Sequence, residues 1–148
     1  MTVEKQRVCI ETDLFLFEAP AGYQVVSLDE EAELVGSKDE FLLVSSYSID
    51  DNSSEKLLED FMNNVADAML EAVNEPDLVI NGKLAKNKTD SGLPIISVHA
   101  EAVDKSHFFD QYAVINKTVA IMATIEGDFE NRTSSAEVEE AVHGLEFK

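Results

Sequence analysis

"LPIISVHAEAVDKSHFFDQYAVINKTVAIMATIEG", Leu93 to Gly127, decides how this chain folds. Its apolar runs are separated by Asp104-Lys105-Ser106 and by Asn116-Lys117. Connections this short join neighbouring strands running in opposite directions, so the sheet is read as antiparallel. In the first run Ile96, Val98, Ala100 and Ala102 alternate with Ser97, His99 and Glu101, the period-two pattern of a half-buried strand. In the last, Val119, Ile121, Ala123 and Ile125 alternate with Ala120, Met122 and Thr124. Apolar residues on both sets predict a strand covered on both faces.

Upstream, "LVINGKLAKNKT" and the turn Asp90-Ser91-Gly92 supply another arm of this meander. Before it, "DDNSSEKLLEDFMNNVADAMLEAVNEP" reads as a long helix. Asn52 or Ser53 caps it, Glu55 closes a capping box, and acidic residues crowd the first turns, where the helix dipole favours them. Leu57, Leu58, Phe61, Met62, Val65, Ala66, Met69, Leu70 and Val73 form one stripe. Pro76 prevents continuation.

The N-terminal third alternates at period two around Val8 and Ile10, and "LFLF" is stopped by Pro20. "QVVSL" extends again, and "EAELVG" with "FLLVSSYSI" forms a hairpin turned at Gly36-Ser37-Lys38-Asp39. Phe41, Leu42, Leu43 and Val44 are apolar on both faces, which predicts a central strand covered on both sides. At the far end Ser134 and Glu137 read as a capping box for a short helix bearing Val138, Ala141, Val142 and Leu145, with Gly144 as its stop and "LEFK" as an extended tail. The fold class is therefore α+β: a mostly antiparallel β-sheet with one long helix and a short C-terminal helix packed on it, in a single domain over 1–148.

With 30 acidic against 11 basic residues, the formal net charge is -19. Such a field repels phosphate backbones and anionic lipid, so neither nucleic acid nor membrane insertion is expected, and a basic protein would be steered in. Cys9, the single cysteine, excludes an internal disulfide; it reads as a small buried or edge-strand side chain. The first residues lack the pattern of a signal peptide and no run reaches the ~20 apolar residues of a membrane span. The expected compartment is the cytoplasm.

Chemistry is sparse. His99, His107 and His143 are the only histidines, and none forms a helical metal pair. His99 and Glu101 share a strand face. No G-x-S-x-G elbow or phosphate cradle occurs, and "DDNSSE" lacks the central glycine of a calcium loop. No catalytic residue, metal or cofactor is expected. Tyr47, Phe108, Phe109 and Tyr112 lie in strands; they are read either as core or as an apolar patch on an open sheet face, where a protein partner would bind.

The strand closing in "FEAPAGYQ", the run "FLLVSSYSI", the helix "SSEKLLEDFMNNVADAML", the strands of "NGKLAKNKTDSGLPIISVHAEAV" and the closing "SSAEVEEAVHGLEF" together resemble the PsbP-like and DcrB-like α/β/α sandwich proteins. The Pro-x-Gly-aromatic turn of that family is similar to Pro20-Ala21-Gly22-Tyr23, with Tyr23 where Trp is common. The resemblance covers nearly the whole chain and implies a non-catalytic protein-binding module. It is closest in character to the cytoplasmic chaperones of type VI secretion effectors, chaperone or adaptor in kind, and possible as a homodimer. An acidic immunity protein or antitoxin against a basic partner is the alternative. An enzyme would need a pocket enclosing His99, Glu101 or Tyr112.

Overall fold

The computed structural model describes residues 8–13, 15–20, 22–28, 32–36, 40–48, 55–72, 76–80, 85–90, 92–104, 106–116, 119–128 and 133–147. Along the chain run β1 (Cys9–Glu11), β2 (Phe15–Glu18), β3 (Gln24–Leu28), β4 (Ala32–Val35), β5 (Phe41–Ser48) and α1 (Glu55–Ala72). They are followed by β6 (Leu78–Ile80), β7 (Ala85–Lys88), β8 (Pro94–Ala102), β9 (His107–Asn116), β10 (Val119–Asp128), α2 (Thr133–His143) and β11 (Glu146–Phe147).

The main sheet has the order β3-β4-β5-β10-β9-β8-β6, with β7 also paired to β8, and its pairs are antiparallel. The expected arm "LVINGKLAKNKT" is thus divided into two short strands on the same side of β8. A larger departure lies at the N-terminus. Rather than joining the main sheet, β1 and β2 form a separate three-stranded sheet with β11, in which Leu16 stands opposite Glu146 and Phe15 opposite Phe147. Cys9 lies exposed on its edge, the second of the two settings its sequence allowed.

This small sheet and α2 cover one face of the main sheet. Phe15, Phe17, Val138, Val142 and Leu145 pack there with Tyr23, Leu42, Ile95, Phe108, Tyr112, Val114, Ile121 and Ile125. On the opposite face Val65, Ala66 and Met69 of α1 meet Ile96, Val98, Ala100, Ala113, Ile115, Ala120 and Met122. The result is a layered α/β/α arrangement with the sheet as its middle layer.

The turns obey their chemistry. Gly22, at φ 95°, takes a left-handed conformation that side chains resist, so the chain reverses after buried Ala19 and Pro20 and Tyr23 joins the α2-side core. At the β8–β9 turn the Ser106 amide donates to Asp104 Oδ1 at 3.0 Å. Hydrogen bonds from the Ser106 hydroxyl and amide hold the Asp104 carboxyl below its ordinary range. α2 begins at Thr133, so Ser134, the expected cap, lies inside its first turn. It tightens at its end, where the amides of Gly144 and Leu145 donate to Ala141 and Val142 carbonyls at 3.2 and 3.1 Å. The capping residues read for α1, Asn52 and Ser53, and Val73 of its stripe lie outside the described residues.

The expectation of a twice-covered β5 is corrected. β5 does lie inside the sheet, between β4 and β10. Leu42 and Val44 are buried against the α2 side, but Phe41 is 60% exposed and Leu43 only half-buried. α1 lies over β8 and β9, at the far end of the same face.

Candidate functional site

Residues opposite one another in a sheet share a face, so the register defines what α1 leaves open. Phe41 stands opposite Val35 and Glu126, and Leu43 opposite Glu33 and Thr124. Continuing across β9, Thr124 stands opposite Gln111 and Glu126 opposite Phe109. Gln111 in turn faces Val98, under α1. Among the described residues one face therefore passes from a helix-covered half, on β8, β9 and the end of β10 that carries Ala120 and Met122, to a more exposed half that runs from Thr124 and Glu126 of β10 across β5, β4 and β3.

On the more exposed half lies a groove of about 300 Å³ lined by Val26, Glu33, Val35, Phe41, Leu43, Thr124 and Glu126, with Leu34 and Leu42 in its walls. Val26 is 62% exposed and Phe41 60%. Val26 stands on this face by alternation from Gln24, which is opposite Val35; a bulge follows, since Val25 pairs with Leu34 and Ser27 with Glu33, and it brings Ser27 opposite Glu33. Elsewhere, exposed Val79 and Val103 lie in β6 and the β8–β9 turn; exposed apolar residues standing singly need no special account. The groove is different because its apolar residues adjoin. At its inner end Gln111 Nε2 donates to Thr124 Oγ1 at 3.2 Å, while Gln111 Oε1 meets no hydrogen-bond partner among the described residues.

The aromatics singled out in the sequence are placed differently. Phe108 and Tyr112 are fully buried in the α2-side core, so neither presents surface to a partner. Phe109 is half-buried against the α1-side cluster. The backbone of Tyr47 pairs with Ala120 in β10; its side chain lies outside the described residues. Phe41 and Val26 are the positions that sequence reasoning misses. Their signal is present in "FLLV" and "QVV", but pattern alone assigns it to burial.

His99 finds a partner that its sequence neighbours do not reveal. Its Nδ1 lies 3.1 Å from Oδ1 of fully buried Asp110, directly opposite on β9. The His99 ring meets Tyr112 edge-on, with centroids 5.6 Å apart and planes at 75°. A buried carboxylate, a fixed imidazole and a phenol make a positioned polar cluster. Ser97, also buried, stands by register opposite Tyr112. The cluster ties β8 to β9.

Glu40 is also buried, at 4% exposure, beneath two glycines. A Cβ on Gly36 would lie 2.6 Å from its carboxyl, and one on Gly127 2.9 Å from its Cβ. Burial pushes the phenol of nearby Tyr23 well above its ordinary range, and the charges of Glu40 and Glu137 push it further. The Tyr23 hydroxyl has no hydrogen-bond partner among the described residues. A second cleft, about 470 Å³, runs between the end of β2, the β7–β8 turn and α2, lined by Glu18, Asp90, Glu137 and Glu140. Among the described residues no group of three or more His, Cys, Asp or Glu is placed to hold a metal ion.

No family model matches the chain, and no curated protein matches it. Solved structures do. The cyanobacterial PsbP protein CyanoP from Synechocystis sp. PCC 6803 superposes with a TM-score of 0.60 at 16% identity, covering 97% of this chain and 92% of its own. LpqN of Mycobacterium tuberculosis, a protein involved in cell envelope biogenesis, superposes with a TM-score of 0.64 at 11% identity, covering 97% and 91%. At such identities the likeness is one of fold: the chain has a PsbP-like α+β architecture, a mostly antiparallel sheet with two helices.

Proposed function

We propose that this chain is a non-catalytic binding module, chaperone or adaptor in character, that receives a protein partner on the more exposed half of its main sheet. The observation that carries the reading is the adjacency of exposed Val26 and Phe41 over Val35 and Leu43 in one groove. An apolar patch rimmed by charges, here Glu33 and Glu126, is the usual form of a protein-binding surface. A fold shared with CyanoP and with LpqN, a protein of cell envelope biogenesis, supports an accessory role. Fold alone does not assign it, so the weight rests on the groove.

The test is a photo-reactive amino acid placed at Phe41 in the producing cells, with Asp67 on the exposed side of α1 as the control position. Discrete protein adducts are expected from position 41 and none from position 67. They should vanish when Val26→Asp is added, a surface change that leaves folding stability within about 0.5 kcal/mol. Equal labelling from both positions, or none from position 41, would overturn the reading.

A further inference from the structure

We infer that the partner presents an extended segment, alternating basic and apolar residues, which adds as a strand to the outer edge of β3 and so borders the groove at Val26. The inference rests on the groove reading and goes further, since it fixes the chemistry and the geometry of the partner.

β3 ends the main sheet and among the described residues pairs with β4 alone. An edge strand offers a row of backbone donors and acceptors to any incoming chain, and proteins ordinarily blunt it by brevity, lysine, proline or a bulge. The opposite edge follows that rule: β6 and β7 have three and four residues, and the sequence of β7 carries Lys86 and Lys88. β3 has only the bulge. Its five residues, "QVVSL", contain no charge and no proline, and Gln24 to Ser27 are all exposed. The bulge bends the strand, and Val26 stands on the groove side of it.

A strand added beside β3 would lie about 4.8 Å beyond it, with alternate side chains on the groove side next to Val26. Those side chains would meet the apolar surface of Val26, and long cationic ones would reach the carboxylate of Glu33 on β4, whereas Phe41 and Glu126 lie further in, on β5 and β10. Apolar and cationic groups answer both. Charge also selects against the most available competitor, a second copy pairing edge to edge, because that brings together two chains each of net charge -19. A basic segment is steered in by the same field.

The probes are synthetic peptides of about ten residues: one alternating lysine and valine, one alternating glutamate and valine, and one of the first composition interrupted by proline. Fluorescence anisotropy at low salt reads affinity, and amide hydrogen exchange reads protection along Gln24–Leu28. The lysine-valine peptide is expected to bind at least about tenfold tighter than the other two, to slow exchange in β3, and to weaken about tenfold against Val26→Lys. Proline-tolerant binding without β3 protection, yet lost in Phe41→Asp, overturns strand addition and leaves the groove reading standing. Equal binding of the glutamate-valine peptide, or protection of β3 by self-association without peptide, overturns the choice of occupant. Failure of every peptide while position 41 still yields protein adducts overturns this inference alone; failure of both overturns the groove reading too.

Discussion

Tyr23 shows how one side chain can stabilise through its ring and not through its hydroxyl. The ring is buried in the α2-side core, so Tyr23→Ala should cost roughly 3–5 kcal/mol. The hydroxyl has no partner among the described residues, so Tyr23→Phe should be near neutral or stabilising in urea melts at pH 7, because it removes an unsatisfied buried group. The two proteins should then part at high pH. Tyr23 is held above its ordinary range in the folded chain, whereas in the unfolded chain it ionises near pH 10. Below about pH 10 it is protonated in both states. Above that, the unfolded state loses the proton and the folded state keeps it, so stability falls by up to about 1.4 kcal/mol per pH unit. Tyr23→Phe should lack that component, and parallel pH slopes for the two proteins would refute it. The packing of Tyr23 is legible from Pro20, Gly22 and the strand that precedes them. Glu40 is not: nothing in "SKDEF" marks Glu40 as the carboxylate that Gly36 and Gly127 enclose, because Gly127 comes from a distant segment of the chain.

At the scale of elements, what alternation can and cannot report is plain in β8 and β5. In β8 it gives correctly which residues share a face. It does not make the face of Ser97, His99 and Glu101 a solvated one, since Ser97 is buried and His99 bonds buried Asp110. Polarity on a strand marks a partner as readily as it marks water. Because the pair joins β8 to β9 at full burial of the carboxylate, His99→Ala should destabilise by about 1.5–3 kcal/mol, the range for a hydrogen bond to a charged group. The cycle with Asp110→Ala should show coupling above about 0.5 kcal/mol; additive effects would mean that the contact contributes nothing. β5 teaches the converse. Its apolar run predicts cover on both faces, but pattern records only that a face avoids water, and a partner from outside the chain satisfies that as well as α1 would. β2 and β11 show a third limit. Their pairing in a separate sheet joins residues 15–16 to 146–147, a separation that no local signal encodes.

Charge governs the molecule as a whole. Thirty acidic residues against 11 basic ones place a net charge of -19 on a chain of 148 residues, and self-repulsion of that size opposes the compact state. Added salt shortens the range of the repulsion, from about 30 Å at 0.01 M to about 10 Å at 0.1 M, which is the difference between fields that cross the domain and fields that do not. Stability in the absence of any partner should therefore rise with sodium chloride, with most of the gain below about 0.1 M. Potassium chloride should match it, because screening depends on ionic strength and not on the cation. Binding should respond in the opposite sense: a basic partner's association slows as the steering field is screened, while the apolar contact at Val26 and Phe41 persists and dissociation changes little. Melting curves and association rates across one salt series test both halves. A Tm that falls with salt would mean that local attractions outweigh the global repulsion. An association rate indifferent to salt would mean that the partner is not recognised by its charge, and the acidity of the chain would then serve solubility alone.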